Sequence, residues 1–252
     1  MSLTLIGLGL FDEKDLSLRA IEEARNSDKV YIELYTSKWY GNLENVKRLI
    51  GKDVLELKRK DLEENSRKTI EEAKSKKVVI FVQGDPLVQT THSSLLLEAR
   101  KLGIETKVIH NASILSAVAE TGLHVQKFGP YVTIPFPEKT RGKLPESVFE
   151  VIKENKKRGF HTLCLLDVVA EDNKYMTINE GLKILLGNVV KDDERIVVFA
   201  KAGNKPVTAY NTVSNLIDRG ISDIPAVIII LGKLHFTEKE FLLSINTSRI
   251  SP

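Results

Sequence analysis

Residues 78–88 read VVIFVQGDPLV. Val78–Gln83 is a run of branched and aromatic residues, as a strand buried on both faces requires. The run then meets Gly84, Asp85 and Pro86, which end a strand and shape a turn. Apolar runs at Leu3–Leu10, Lys29–Tyr35, Asp53–Leu57 and Glu105–Ile109 read as further strands. Helical patterns at Asp15–Asn26, Asn42–Ile50, Asp61–Ser75 and Thr90–Leu102 separate them. Strands alternating with helices of about 10–15 residues make βαβ units and a mainly parallel sheet. Ligands of such sheets lie outside the carboxyl ends of the strands.

The rhythm changes after Asn111, where we place a boundary between an N-terminal α/β domain (1–111) and a C-terminal one (112–252). Ser113–Glu120 reads as a small-residue helix. Thr121–Glu138 is rich in Gly and Pro and reads as a connector with a short strand. Beyond it, helices at Ser147–Lys157, Thr177–Leu186 and Ala209–Arg219 alternate with strands at Thr162–Leu166, Arg195–Ala200 and Ala226–Leu231. Asn246–Pro252 reads as a frayed tail.

The chain has 252 residues, 42% hydrophobic and 28% charged, with a formal net charge of +3. That is an ordinary soluble composition, and the charge is too small to argue for nucleic acid or an anionic membrane. No apolar run reaches the roughly 18 residues of a membrane span. A single cysteine, Cys164, excludes an internal disulfide and a cysteine metal cluster, and suits the reducing cytoplasm.

Four strand ends carry chemistry. In IGLGLFDEKDLS (6–17), Gly7 and Gly9 allow close backbone approach. The third glycine of a dinucleotide fingerprint is missing, because Asp12 stands there. The plain alternative is a tight turn with Asp15 capping the helix. In GDPLVQTTH (84–92), Gly84 lets a ligand lie against the backbone and Pro86 stiffens the loop. Thr90 or Thr91 caps the next helix, or the segment is simply a turn. HNASILSAV (110–118) leaves room for a ring, or is a helix capped by Asn111 or Ser113. The C-terminal half offers LCLLD, FAKAG and ILGKLH, with Asp167 and His235 as polar groups that are equally a cap and a structural histidine. Cys164 reads as an inert core residue, and KENKKRG (153–159) as a solvated helix end stopped by Gly159.

Taken in order, these segments resemble the tetrapyrrole-methylase-like (class III) S-adenosylmethionine-dependent methyltransferases. LIGLGLFDEKDLS, GDPLVQTTHSSLL, ASILSAVAETGLHVQKFG, KYMTINEG and GKLH are similar to one branch across essentially the whole chain, with Gln83 a departure from the usual residue before Gly84. That branch methylates the amino group of a 3-amino-3-carboxypropyl histidine on translation elongation factor 2. The resemblance implies two α/β domains, the second with a mixed sheet, and a cofactor cleft between them. It implies S-adenosylmethionine as methyl donor, S-adenosylhomocysteine as product, a homodimer, and no metal. It assigns cofactor contacts to Leu10, Asp85, Val88, Ser113, Ile114, Leu166, Ala202 and His235. Asp85 would face the cationic donor. Asp167 and His235 are the candidate general bases, although an α-amino group titrating near about 8 needs none. A tetrapyrrole C-methyltransferase is the alternative within the family, but its polycarboxylate substrate would favour Arg-rich strand ends. A nicotinamide oxidoreductase lacks its third glycine, with Glu33 the nearest acidic residue to serve a ribose.

Overall fold

The computed structural model describes residues 1–247. Cα packing divides them into two compact units, Met1–Leu115 and a second from Ser116 onward.

The first unit runs β1 (Ser2–Gly7), α1 (Leu18–Arg25), β2 (Lys29–Glu33), α2 (Leu43–Ile50), β3 (Leu55–Leu57), α3 (Arg59–Glu63), α4 (Ser66–Glu72), β4 (Lys77–Val82), α5 (Ser93–Lys101) and β5 (Glu105–Ile109). The five strands form one parallel sheet in the order β3-β2-β4-β1-β5, with Gly7 opposite Val82 and Ile6 opposite Ile109. Leu3–Gly7 and Val78–Val82 are buried throughout, which explains why these runs, Thr4 apart, are apolar rather than alternating. The chain leaves β1 toward β2 on one side and crosses from β4 to β5 on the other. The order therefore reverses between β1 and β4, and open α/β sheets bind ligands at the carboxyl side of such a reversal.

The second unit begins with α6 (Ile114–Ala117), which crosses the division. It continues with β6 (Val132–Ile134), α7 (Glu146–Arg158), β7 (Thr162–Leu166), β8 (Val168–Val169), β9 (Lys174–Tyr175), α8 (Ile178–Leu185), β10 (Arg195–Ala200), β11 (Val207–Thr212), α9 (Val213–Asp218), β12 (Ala226–Ile230) and α10 (Phe236–Thr247). Its main sheet is mixed, in the order β11-β10-β12-β7-β6, with only β6–β7 parallel. The core gathers Ile134, Ile152, Cys164, Leu166, Ile178, Leu182, Val198 and Ile228. Gly159 ends α7, and Thr177 with Glu180 forms the capping box that starts α8.

Some elements differ from the sequence reading. Residues 209–219 are not one helix. Val207, Thr208, Tyr210 and Thr212 are β-branched or aromatic, and they pair antiparallel with β10 from Val207–Ala200 to Thr212–Arg195. Only six residues of helix follow. The 61–75 helix is two, broken at Glu64–Asn65. The expected tail is helical at its start, since α10 includes Asn246 and Thr247; the rest of it lies outside the described residues.

Candidate functional site

Two groups of residues matter, one at the carboxyl edge of the parallel sheet and one around the segment that follows β12. In the first unit the strand ends are sewn together by polar side chains. Gly9 and Gly84 form an isolated antiparallel bridge, Gly9 N donating to Gly84 O at 3.2 Å and Gly84 N to Gly9 O at 3.0 Å. Both have positive φ, +85° and +66°. A side chain at Gly84 would meet nothing nearer than Ser113 Cβ at 3.9 Å, so the space before this backbone is open.

Asp85 is buried and both its oxygens accept from its own unit. Oδ1 takes Leu87 N at 3.0 Å; Oδ2 takes Asn111 N at 3.2 Å and lies 2.7 Å from His110 Nδ1. Its carboxylate therefore ties the β4 loop to the end of β5. Asp85→Ala strands these donors and is expected to lower the unfolding free energy by about 1–3 kcal/mol, read by thermal melting. An unchanged melting temperature would show that the cross-link is idle.

Asp15 is not a helix cap. Its Oδ2 accepts Leu10 N at 3.0 Å and Phe11 N at 2.7 Å, and Ser17 caps α1 instead. Thr90 and Thr91 do not cap α5, which starts after His92 without a side-chain cap bond. The Thr90 hydroxyl donates to Pro86 O at 2.6 Å and closes the loop. Leu10, Val88 and Ile114 are half-buried and Ser113 is buried. Asn111 donates to Gly7 O at 3.0 Å and to Asp15 O at 2.9 Å, joining β1, β5 and the Asp15 turn. Glu33 is fully buried and accepts Gln83 N, Tyr35 N and the Thr36 hydroxyl, at 3.1, 3.2 and 2.9 Å. Burial raises its pKa. It braces the ends of β2 and β4 and has no access to a ribose. His92 is buried beside Tyr35, with Nε2 at 3.3 Å from the phenol oxygen, and desolvation lowers its pKa to about 4.

In the second unit the GKLH segment is held by buried Glu238. Its Oε1 accepts His124 N at 2.8 Å and lies 3.2 Å from His161 Nε2. Its Oε2 accepts His235 N at 2.6 Å and pairs with Lys127 Nζ. His161 Nδ1 accepts Gly232 N at 2.9 Å, so the imidazole hydrogen must sit on Nε2 and be donated to Glu238. Desolvation lowers the His161 pKa, which keeps the ring neutral. His235 itself is exposed, with Nδ1 at 2.8 Å from the Thr237 hydroxyl, which in turn lies 3.2 Å from His124 Nε2.

Asp167 is occupied. Its oxygens take Phe136 N, Val168 N and Lys139 Nζ, each at 2.9 Å, so it fastens the corner after β7. Leu166 and Ala202 are buried. Cys164 is fully buried, and burial pushes its thiol pKa up, as befits an unreactive core residue.

These strand-end loops, on a parallel sheet followed by a mixed one, have known counterparts. Residues 2–213 match the tetrapyrrole (corrin/porphyrin) methylases, and the chain belongs to that family. It is therefore a methyltransferase. It is 44% identical to a diphthine synthase of Methanocaldococcus jannaschii, over 95% of this chain and 97% of that one. It is 41% identical to a diphthine synthase of Methanococcus aeolicus, over 94% and 95% of the two chains. A crystal structure of a diphthine synthase superposes with a TM-score of 0.88 at 40% identity, covering 97% of this chain and 95% of that one. Within the family the chain belongs with the diphthine synthases.

Glu33, Asn111, Asp15, His161, Lys127 and Glu238 are the supporting residues that sequence reasoning missed or misassigned. Asn111, Asp15 and Glu33 had a local signal, their places at or near strand ends; His161, Lys127 and Glu238 had none.

Proposed function

We propose that the chain methylates the amino group of the 3-amino-3-carboxypropyl histidine of translation elongation factor 2, with S-adenosylmethionine as donor. Identity above 40% to diphthine synthases over about 95% of both chains carries the reading. The open face of Gly84 supports the cofactor assignment, because a folded nucleoside ligand needs backbone it can lie against. In this reading Leu10, Asp85, Val88, Ser113, Ile114, Leu166, Ala202 and His235 hold the cofactor, and the homodimer is the working, cytoplasmic form.

When bound, the sulfonium supplies an activated methyl group, so the protein's task is to position and to exclude water. The Gly9–Gly84 bridge, Asp85 and Asn111 fix the loops that do so before any ligand arrives. Asp85 sets the loop through the bonds its oxygens accept, and its carboxylate keeps acceptor capacity for the cationic donor. Asp167 is engaged by Lys139, which leaves His235 as the candidate with a ring nitrogen to spare for a proton. The acceptor amine attacks only as the neutral base, so a proton must leave it before transfer.

The test is methyl transfer from labelled S-adenosylmethionine to elongation factor 2 bearing the aminocarboxypropyl histidine, read by peptide mass spectrometry. Mass gain in methyl increments on that peptide is expected. Cofactor binding with no gain there, and methylation of uroporphyrinogen instead, would overturn the substrate assignment.

A further inference from the structure

Just past the carboxyl end of β4 lies a polar group that finds no partner among the described residues. Gln83 is 8% exposed, and its side-chain Oε1 is buried without a hydrogen-bond donor. Its backbone N–H is engaged by Glu33, which anchors the residue while leaving the amide oxygen unmatched. A buried, unpaired carbonyl costs stability, and native folds keep few of them without a reason. Gln83 directly precedes Gly84, whose open backbone face lies at the reversal between β1 and β4.

We propose that Gln83 is a further cofactor-binding residue, its Oε1 accepting a hydrogen bond from an N–H or O–H of bound S-adenosylmethionine. The inference rests on the cofactor reading above and adds a residue to it. The buried position favours the cofactor over the acceptor. A small free molecule rich in hydroxyl and amine donors can enter beside Gly84, whereas the acceptor amine is tethered to a folded protein.

Gln83→Met keeps the length of the side chain and removes the carbonyl. The test measures melting of the unliganded variant, and the Kd of S-adenosylmethionine and S-adenosylhomocysteine by calorimetry. The expected result is unliganded melting equal to or above wild type, with Kd weakened by about 5–10-fold for both ligands. Gln83→Leu, different in shape and equally unable to accept, gives the same answer where the Met variant folds poorly. Unchanged Kd in a folded variant would overturn the proposal and leave the oxygen to a buried water. A change confined to KM for the protein acceptor would overturn it too. Wild-type protein that binds no S-adenosylmethionine would instead bring down the cofactor reading itself.

Discussion

Glu238→Ala lowers the unfolding free energy by about 3–5 kcal/mol, the cost of deleting one partner from a buried charge network. The side chain is fully buried and accepts from two backbone N–H groups, an ammonium and an imidazole. Its removal strands the His124 and His235 amides and leaves Lys127 facing neutral atoms. Desolvation works to raise the Glu238 pKa, but the bonds from Lys127, His124 N, His235 N and His161 outweigh it and bring the group down to about 2. A carboxylate held below its unfolded value stabilises the fold above the ordinary pKa near 4.5, and that contribution is lost as pH falls through about 2. The difference is about 3 kcal/mol. Denaturant titrations of wild type between neutrality and acid should show the midpoint falling, and Glu238→Ala should flatten the fall. Glu238→Gln keeps the shape but turns one end into a donor facing donors, so it should lie between the two. A variant that melts with wild type would mean that water replaces the carboxylate at no cost.

That network also shows where the sequence stops being readable. The parallel sheet was legible because burial leaves a local mark: Val78–Val82 is apolar throughout, Leu3–Gly7 is interrupted only by Thr4, and Gly84-Asp85-Pro86 ends a strand in any context. Partner choice leaves no such mark. Glu238 meets His124 across 114 positions and His161 across 77, and nothing near residue 238 says so. Asp85 and Asp15 were found as polar residues at strand ends, but their carboxylates turned out to serve the protein's own amides. α10 escaped notice because Phe236, Phe241 and Leu243 are exposed while Leu242 is buried, so its apolar residues make no single stripe. Residues 209–212 were misread as the start of a helix, because their pairing with β10 is decided by a neighbour they meet only after folding.

Gly9→Val is expected to lose about 3 kcal/mol of stability and to abolish S-adenosylmethionine binding. Gly9 has φ +85°, which costs an L-residue about 1–2 kcal/mol and a β-branched one most of all. The new Cβ would lie 2.4 Å from Asp15 Cβ and 3.2 Å from Asn111 Nδ2, adding overpacking of about 1–3 kcal/mol. The damage would not stay local. Asp15, once displaced, releases the amides of Leu10 and Phe11, and Asn111 loses its hold on Asp15 O and Gly7 O. Those bonds set the loops on both sides of the β1/β4 reversal. Gly84→Ala is the control, because its φ of +66° carries a similar backbone cost while its Cβ meets only open space. It should fold with a loss of about 1 kcal/mol and bind the cofactor weakly, by filling the face the ligand would use. Melting and calorimetry on the pair separate the two causes. If Gly9→Val melts with wild type, Asp15 can move aside and the turn is not a rigid frame. If Gly84→Ala binds the cofactor normally, the ligand does not lie against that backbone.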